Sequence, residues 1–290
     1  FQTKLNDNDN DAIRLNEEYQ RFQQENSYWL NDYAVLDSIA KDYGTDHYPN
    51  WSQDDRELLK RAKHGDWEEQ NRYNRILYDN ENSNIYKFSQ FLVDKQAKAD
   101  SRTRDVSFIG DLLVGGSSFD ELANEDVFLK GYKIGCNDGG PFNSPQTWGM
   151  SVVDPNKLFN HDGSLGESGQ YLKAKLEKAL SDSTNIRIDH AIGLVNPYLY
   201  KEDTVHKAKK RDEHGEEKEY VVRERLHSGH LSELGLDRGH NFQKILSRIV
   251  LPTMREHGVD THKVVSEALG WERTGVLTKV FKAQKHLNGI

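Results

Sequence analysis

The first hundred residues carry a hydrophobic pattern typical of amphipathic helices. From about Ala12 to Tyr43, apolar and aromatic residues recur at mixed three- and four-residue spacings, which places them on one face of a helix. Residues 51–98 continue the pattern: "SQDDRELLKRAK" opens with a Ser-x-x-Asp helix start, and "NIYKFSQFLVDKQAKA" predicts a long helix. We therefore predict a mainly helical subdomain over residues 1–100.

Strand-like runs begin only after residue 100, and three of them share one plan. Each has a few β-prone residues that end in an acid, then small or turn-forming residues, and each follows a helix-compatible stretch. The runs are "DVSFIGDLL" (105–113), "NIRIDHAIG" (185–193) and "HKVVSEALG" (262–270). This order predicts parallel βα units with catalytic groups after the strands. We predict an α/β fold: a (β/α)8 TIM-type barrel, complete or in part, whose βα units occupy 101–290 within one domain over 1–290.

Two further segments have a distinct composition. Residues 131–155, "GYKIGCNDGGPFNSPQTWGMSVVDP", are rich in Gly, Pro, Asn and Ser, and this predicts a long irregular loop. Loops of such length in a compact domain are usually functional. Residues 201–231 are highly charged, and they predict a solvated hairpin around a turn at His214-Gly215.

The charge and composition exclude several kinds of partner. The formal net charge of −8 repels nucleic acid and anionic membrane surfaces. No apolar run approaches the roughly 20 residues of a membrane span, and the polar start has no signal-peptide core. The single cysteine, Cys136, excludes an intramolecular disulfide framework and fits a reducing compartment. We expect a soluble, cytoplasmic protein with neither a nucleic-acid nor a membrane partner.

The sequence gives no reason to expect a metal or a cofactor. The run "LHSGHLSELGLDRGH" (226–240) suggests a metal site, but its histidines lack the i, i+4 spacing of a helical zinc site; they are His227, His230 and His240. No metal site and no cofactor are therefore predicted. The oligomeric state has no signature in the sequence.

The run "NIRIDHAIG" sets three ionisable side chains in a strand-like segment. In a strand, Arg187 and Asp189 share one face, while Ile186, Ile188 and His190 share the other. A guanidinium beside Asp189 favours the ionised carboxylate, and an anion held ready is a nucleophile. A buried ion pair that only fixes the strand explains the same residues equally well.

The other two runs add acids at equivalent positions. The same alternation places Asp111 near the end of the first strand and Glu267 near the end of the last. Three strand-end acids then converge on one cleft. Two carboxyls that flank a glycosidic bond can cleave it, and retaining chemistry needs them about 5–5.5 Å apart. Taken singly, Asp111 is equally a turn residue and Glu267 a helix-start acid.

Four motifs together resemble the amylomaltases, the 4-α-glucanotransferases of glycoside hydrolase family 77. "IRIDHAIGL", followed by "NPYLY", is similar to the family's Arg-Ile-Asp-His nucleophile signature. "VSFIGDLL" resembles its strand ending in Gly-Asp-Leu, and "SPQTWGMSVVDP" its Gly-Gln-x-Trp-Gly-x-Pro loop. "VVSEALG" resembles the strand that ends in the acid/base glutamate. The order and spacing agree over roughly residues 16–283.

The resemblance implies a function and a set of site residues. Asp189 matches the nucleophile and Glu267 the acid/base. The matching substrate-binding residues are Arg187, His190, Asp111, Gln146, Trp148 and Gly149. The implied activity is transfer of α-1,4-glucan segments between maltodextrins by a retaining double displacement, with maltooligosaccharides or α-glucans as partners.

Departures from the family pattern keep other functions open. Ala268 stands where the family has an aspartate after the acid/base residue, and Pro145 replaces a glycine before Gln146. The family's catalytic domain has a strand before the position of Phe1, and after that of Ile290 a His-Asp strand with a third acid. We therefore expect the chain to be a piece of that domain. The alternatives are a truncated, non-catalytic glucan-binding barrel and an α-amylase-like hydrolase.

Overall fold

A computed structural model of the protein describes most of the chain. The described residues are 9–103, 109–136, 146–181, 183, 185–202, 205–211, 216–223, 228–260, 264–267 and 288–289. The chain divides into two compact units. The first is Phe1–Arg104 with Ser118–Glu125, and the second is Asp105–Ser117 with Asp126–Ile290.

The first unit is built from helices, as its hydrophobic pattern predicts. They are α1 (Asn10–Tyr43), α2 (Gln53–Lys63), α3 (Trp67–Asp79), α4 (Glu81–Thr103) and α5 (Ser118–Ala123). Side chains cap three of the helix starts. Asp9 accepts from the first backbone N–H groups of α1, Ser52 from Asp55 in α2, and Asp66 from the start of α3. The start signal at Ser52 is thereby confirmed.

Two apolar clusters hold this unit together. The larger joins α1, α2 and α3 through leucines that are 0 to 2% exposed: Leu36, Leu58, Leu59 and Leu77. The smaller joins α1 and α4 through Phe22, Leu30 and Phe91. Full burial of each leucine stabilises the fold by about 1.5–3 kcal/mol before the entropy of ordering is subtracted.

The second unit contains a parallel sheet formed by the three acid-ending runs. The sheet order is β1-β4-β9-β10, with β1 at Ile109–Leu112, β4 at Asn185–Ile188, β9 at Val265–Ser266 and β10 at Asn288–Gly289. Pairing is parallel throughout. The mixed α/β class is confirmed, while the described strands do not show closure into a complete barrel.

The isoleucines of β4 lie at the centre of the second unit's core. Ile186 and Ile188 are fully buried. They belong to an apolar cluster with residues of α6 (Glu167–Ser181), a π-helical turn (Leu246–Val250) and α7 (Leu251–Glu256). One face of β4 therefore packs in the core, and its alternate residue, Arg187, is left for the other face.

The predicted loop over residues 131–155 is wrong for most of its length. Phe128–Cys136 form β2 and Gln146–Val153 form β3, and these strands pair antiparallel. The turn-forming residues mark irregular pairing instead of ending the strands. The register shifts beside Gly135, where an added Cβ would lie 2.3 Å from the Gln146 carbonyl oxygen. Residues 137–145 lie outside the described part of the chain.

Further antiparallel pairing completes the second unit. β2 also pairs with β5 (Tyr198–Lys201), and β5 pairs with β8 (Ser228–His230). β6 (Val205–Arg211) and β7 (Glu217–Arg223) form the predicted charged hairpin, which is confirmed; its turn at His214-Gly215 is not described. Within the described ranges, no helix combines the length and apolar character needed to cross a membrane.

Candidate active site

The parallel register brings the three predicted acids to one end of the sheet. Asp111 pairs with Arg187 across β1 and β4. The backbone N–H of Asp189 donates to Leu112 O at 3.2 Å, and that of Glu267 donates to Ile188 O at 2.9 Å. Asp111 is fixed by its register in β1, and Asp189 and Glu267 are each fixed by a backbone hydrogen bond just after their strands. The three acids therefore lie at the same end of the sheet.

Arg187 joins all three carboxylates. Its Nη1 lies 2.7 and 2.8 Å from the two carboxylate oxygens of Asp111. Its Nη2 lies 2.8 Å from Asp189 Oδ1 and 3.1 Å from Glu267 Oε1. The planar guanidinium has enough donors for this arrangement, and the bond to Asp111 is the main cause that raises the pKa of Arg187. The predicted convergence of three acids is confirmed.

Asp189 and Glu267 influence each other's protonation. Donation of a hydrogen bond from protonated Asp189 to Glu267 is the main cause that raises the pKa of Asp189, while Arg187 acts against it. The same bond, and the backbone N–H of His190 at 3.2 Å from Glu267 Oε2, lower the pKa of Glu267. As the pH falls, the first proton that the pair takes up is therefore favoured on Asp189 over Glu267.

This pairing differs from the state that glycosidic cleavage needs. A nucleophilic Asp189 has to be ionised while Glu267 carries the proton. The roles predicted for the two residues therefore require this proton preference to reverse.

His190 lies directly after β4 in a left-handed turn. Its φ of 45° and ψ of 59° are uncommon for a residue with a side chain, and mark a strained turn of the kind often found at functional sites. Since β4 ends at Ile188, the strand alternation predicted through His190 does not reach it. The imidazole instead meets the Trp148 ring edge to face at 4.7 Å between centroids. Burial lowers its pKa to about 4, so the imidazole is neutral near pH 7.

Trp148 stands on β3 with the other two residues predicted for this segment. Its indole N–H donates to Gln146 Oε1 at 2.9 Å. The backbone N–H of Gly149, in the left-handed region at φ 75°, donates to the Tyr200 hydroxyl at 3.1 Å. β3 therefore holds the Trp148 ring against His190, beside the acids, while Gln146 fixes the orientation of the indole.

Sequence reasoning missed two residues of this region. Tyr200, on β5, anchors the Gly149 turn, and only the aromatic run "NPYLY" hinted at it. His230 lies close enough to His190 to contribute to lowering its pKa, and its Nδ1 lies 2.8 Å from Asn196 O. The spacing of His230 in the sequence did not indicate that it lies near His190. Ala268, which follows Glu267, lies outside the described residues.

The family model described as 4-alpha-glucanotransferase, glycoside hydrolase family 77, matches residues 2–281. The chain belongs to this family. Among solved structures, an amylomaltase from Corynebacterium glutamicum aligns with a TM-score of 0.57 and 18% identity, over 96% of this chain and 32% of that one. An amylomaltase from Streptococcus agalactiae in complex with acarbose aligns with a TM-score of 0.59 and 14% identity, over 95% and 48%.

At these identities, the likeness to the amylomaltase structures is one of fold. This member of the 4-alpha-glucanotransferase family spans a third of the length of one of them and about half of the other. No curated protein sequence matches the chain significantly.

Proposed function

We propose that the protein is a 4-α-glucanotransferase, which moves α-1,4-glucan segments between maltooligosaccharides with retained stereochemistry. One observation carries this proposal: a single guanidinium holds Asp111, Asp189 and Glu267 together at the ends of three adjacent parallel strands. Retaining glycoside chemistry needs two carboxyls that flank the scissile bond of a sugar, and this cluster supplies them. Membership of the family supplies the substrate class.

In the first step, Asp189 attacks the anomeric carbon of the donor glucan. The glycosidic bond breaks as Glu267 gives its proton to the leaving oxygen, and a covalent glycosyl ester forms on Asp189. Arg187 favours the charged form of Asp189 throughout, because its Nη2 lies 2.8 Å from that carboxylate. The Glu267 carboxylate left behind accepts the backbone N–H of His190, which stabilises its negative charge.

In the second step, Glu267 acts as the base. It removes the proton from a hydroxyl of an incoming sugar, whose oxygen attacks the anomeric carbon and releases Asp189. Water in the acceptor's place gives hydrolysis by the same route.

The remaining site residues are proposed to bind the sugar. Trp148 offers an apolar face to a pyranose ring, and the neutral imidazole of His190 can donate or accept a hydrogen bond from a hydroxyl. Asp111, Gln146 and Gly149 would contact hydroxyls of the same or the next ring. We further propose that the βα residues 101–290 belong to a (β/α)8 barrel, with residues 1–100 as its helical subdomain.

Incubation with maltotriose tests the function. Transfer predicts glucose together with a ladder of longer maltodextrins, whereas an α-amylase-like hydrolase yields only shorter products. Asp189→Asn and Glu267→Gln should each abolish the ladder, and acarbose should inhibit it, since an amylomaltase of this fold was solved in complex with acarbose. Unchanged maltotriose that still binds in calorimetry would instead indicate a non-catalytic glucan-binding barrel.

A further inference from the structure

One face of helix α3 packs against the other helices of the first unit. Leu77 is buried in the apolar cluster, and the Tyr73 hydroxyl donates to Asp32 at 2.9 Å. Arg72 forms an ion pair with Asp55, and the Gln70 amide donates to Ala62 O at 3.0 Å. These contacts account for the side of α3 that packs on α1 and α2.

The opposite face carries large side chains that the fold does not use. Trp67, Asn71, Asn74 and Tyr78 follow one another at i, i+4, i+7 and i+11, which aligns them along one side of the helix. Trp67 is 74% exposed and Tyr78 is 64% exposed. Among the residues that the structure describes, the side chains of Trp67, Asn71, Asn74 and Arg75 form no hydrogen bond or ion pair.

These residues form an open groove. Its volume of about 710 Å³ falls within the range of about 300–1,000 Å³ found for small-molecule sites. The lining is Trp67, Glu68, Asn71, Asn74, Arg75, Tyr78 and Asp79. Lys87 lies 5.7 Å from the centre of the Tyr78 ring and supports that ring from one side.

We propose that this face of α3, called here the α3 groove, binds a chain of α-1,4-linked glucose as a second glucan site. The aromatic rings at its two ends suit the apolar faces of pyranose rings. The two amides between them each offer donors and an acceptor to sugar hydroxyls. This choice of sugar rests on the proposed function; the groove itself belongs to the helical unit, and the catalytic carboxyls belong to the other unit.

The charges that line the groove and the length of the helix narrow the choice of ligand. Glu68 and Asp79 beside a single Arg75 disfavour a polyanion, as does the net charge of −8. Protein interfaces concentrate apolar residues and exclude charge at their centre, whereas this groove has amides and charges between two rings. From Trp67 to Tyr78 the helix rises roughly 16 Å. A chain of several glucose units spans that distance, and a single glucose does not.

Indole N–H signals in a 1H–15N NMR spectrum test the proposal at residue level. The chain has five tryptophans, and Trp67→Phe and Trp148→Phe assign the two indole signals that matter. Titration with maltoheptaose should shift the Trp67 signal, and glucose at equal ring concentration should not. Cellohexaose, which has β-linkages, should shift it less than maltoheptaose does; an equal or larger shift would overturn the assignment to α-glucan.

Paired variants measure how much the rings contribute. Tyr78→Ala, which leaves the Trp67 signal in place to report binding, should weaken binding of maltoheptaose at this site at least tenfold, because truncating aromatic anchors at binding sites commonly has effects of that size. Tyr28→Ala is the matched control: Tyr28 is 65% exposed, lies on α1 and does not line the groove. It should leave both binding and the circular dichroism spectrum unchanged.

The two tryptophan signals separate this proposal from the proposed function. A Trp67 signal that stays fixed while the Trp148 signal shifts would overturn the α3 groove as a glucan site and leave the catalytic assignment intact. A shift at Trp67 without one at Trp148 would support the groove and contradict the catalytic site. Signals that both stay fixed would overturn both proposals.

Discussion

Gly135→Ala should damage the proposed sugar-binding side of the candidate site without changing a carboxyl. A methyl group at this position would lie 2.3 Å from the backbone oxygen of Gln146, and 3.1 and 3.2 Å from two ring carbons of Tyr200. The first neighbour is backbone and cannot rotate away. To reach a contact distance of about 3.5 Å, β3 must therefore move from β2 by roughly 1 Å.

The size of the effect follows from that movement. Overpacking of this kind typically destabilises a protein by about 1–3 kcal/mol. A shift of 1 Å also stretches the bonds between β2 and β3 beyond normal hydrogen-bond length. Because Gln146 and Trp148 lie on β3 and Tyr200 holds Gly149, the proposed sugar subsite should move with the strand. Misplacement by about 1 Å can lower turnover about 100-fold.

Two measurements together test this reasoning: urea unfolding, and transfer from maltotriose by the folded variant. Gly239→Ala is the control, since a methyl group there would meet only side-chain atoms of Asn241, at 3.5 Å or more. It should change stability by less than about 0.5 kcal/mol. If Gly135→Ala matches the control in both stability and turnover, the close approach of β2 and β3 at this point does not control the site.

Three further predictions follow from burial and charge. His190 has its pKa lowered to about 4, so the stability that its neutral form contributes should be complete above about pH 6.5 and be lost as the pH falls to 4. His190→Gln should remove that loss, as measured by unfolding across this pH range; an unchanged profile would contradict a buried neutral imidazole. Glu267→Gln should lower the pKa of Asp189, because the bond that protonated Asp189 donates to the Glu267 carboxylate is the main cause that raises it; carboxyl 13C shifts followed against pH measure this, and a higher value would refute this cause. Ile188→Ala should cost about 2–5 kcal/mol in urea unfolding, since the side chain is fully buried. Ile109→Ala, at a position 55% exposed, should cost little, and equal losses would show that burial does not set the difference.

The sequence was informative where a local pattern decides the structure. The helix start at Ser52, the charged hairpin and the strand around Ile186 and Ile188 all depend on spacings of a few residues. The segment with Gly131, Gly135 and Gly149 was wrongly predicted as a loop. The same residue types that form turns also permit bulges and close contacts between strands. Which of these occurs depends on a partner strand that the local pattern does not contain.

The candidate site was likewise predictable from the sequence only in part. Alternation along β4 predicted that Arg187 and Asp189 would leave the core face, and the repeated strand plan added Asp111 and Glu267. The opposite pKa shifts of Asp189 and Glu267 were not predictable, because they depend on side-chain geometry across β4 and β9. The left-handed turn at His190 was equally hidden, since no glycine or asparagine marks it.

The ion pairs of Arg187 also depend on the correct register of the parallel strands. Its partners, Asp111 and Glu267, come from β1 and β9, which lie far from β4 in the sequence. A one-residue slip in either pairing would turn the side chains of the slipped strand to the opposite face and leave the guanidinium without that partner. The proposed catalytic cluster therefore forms only where both parallel pairings are in register, and a ligand that recognises the three carboxylates together would count only molecules whose parallel strands have paired correctly.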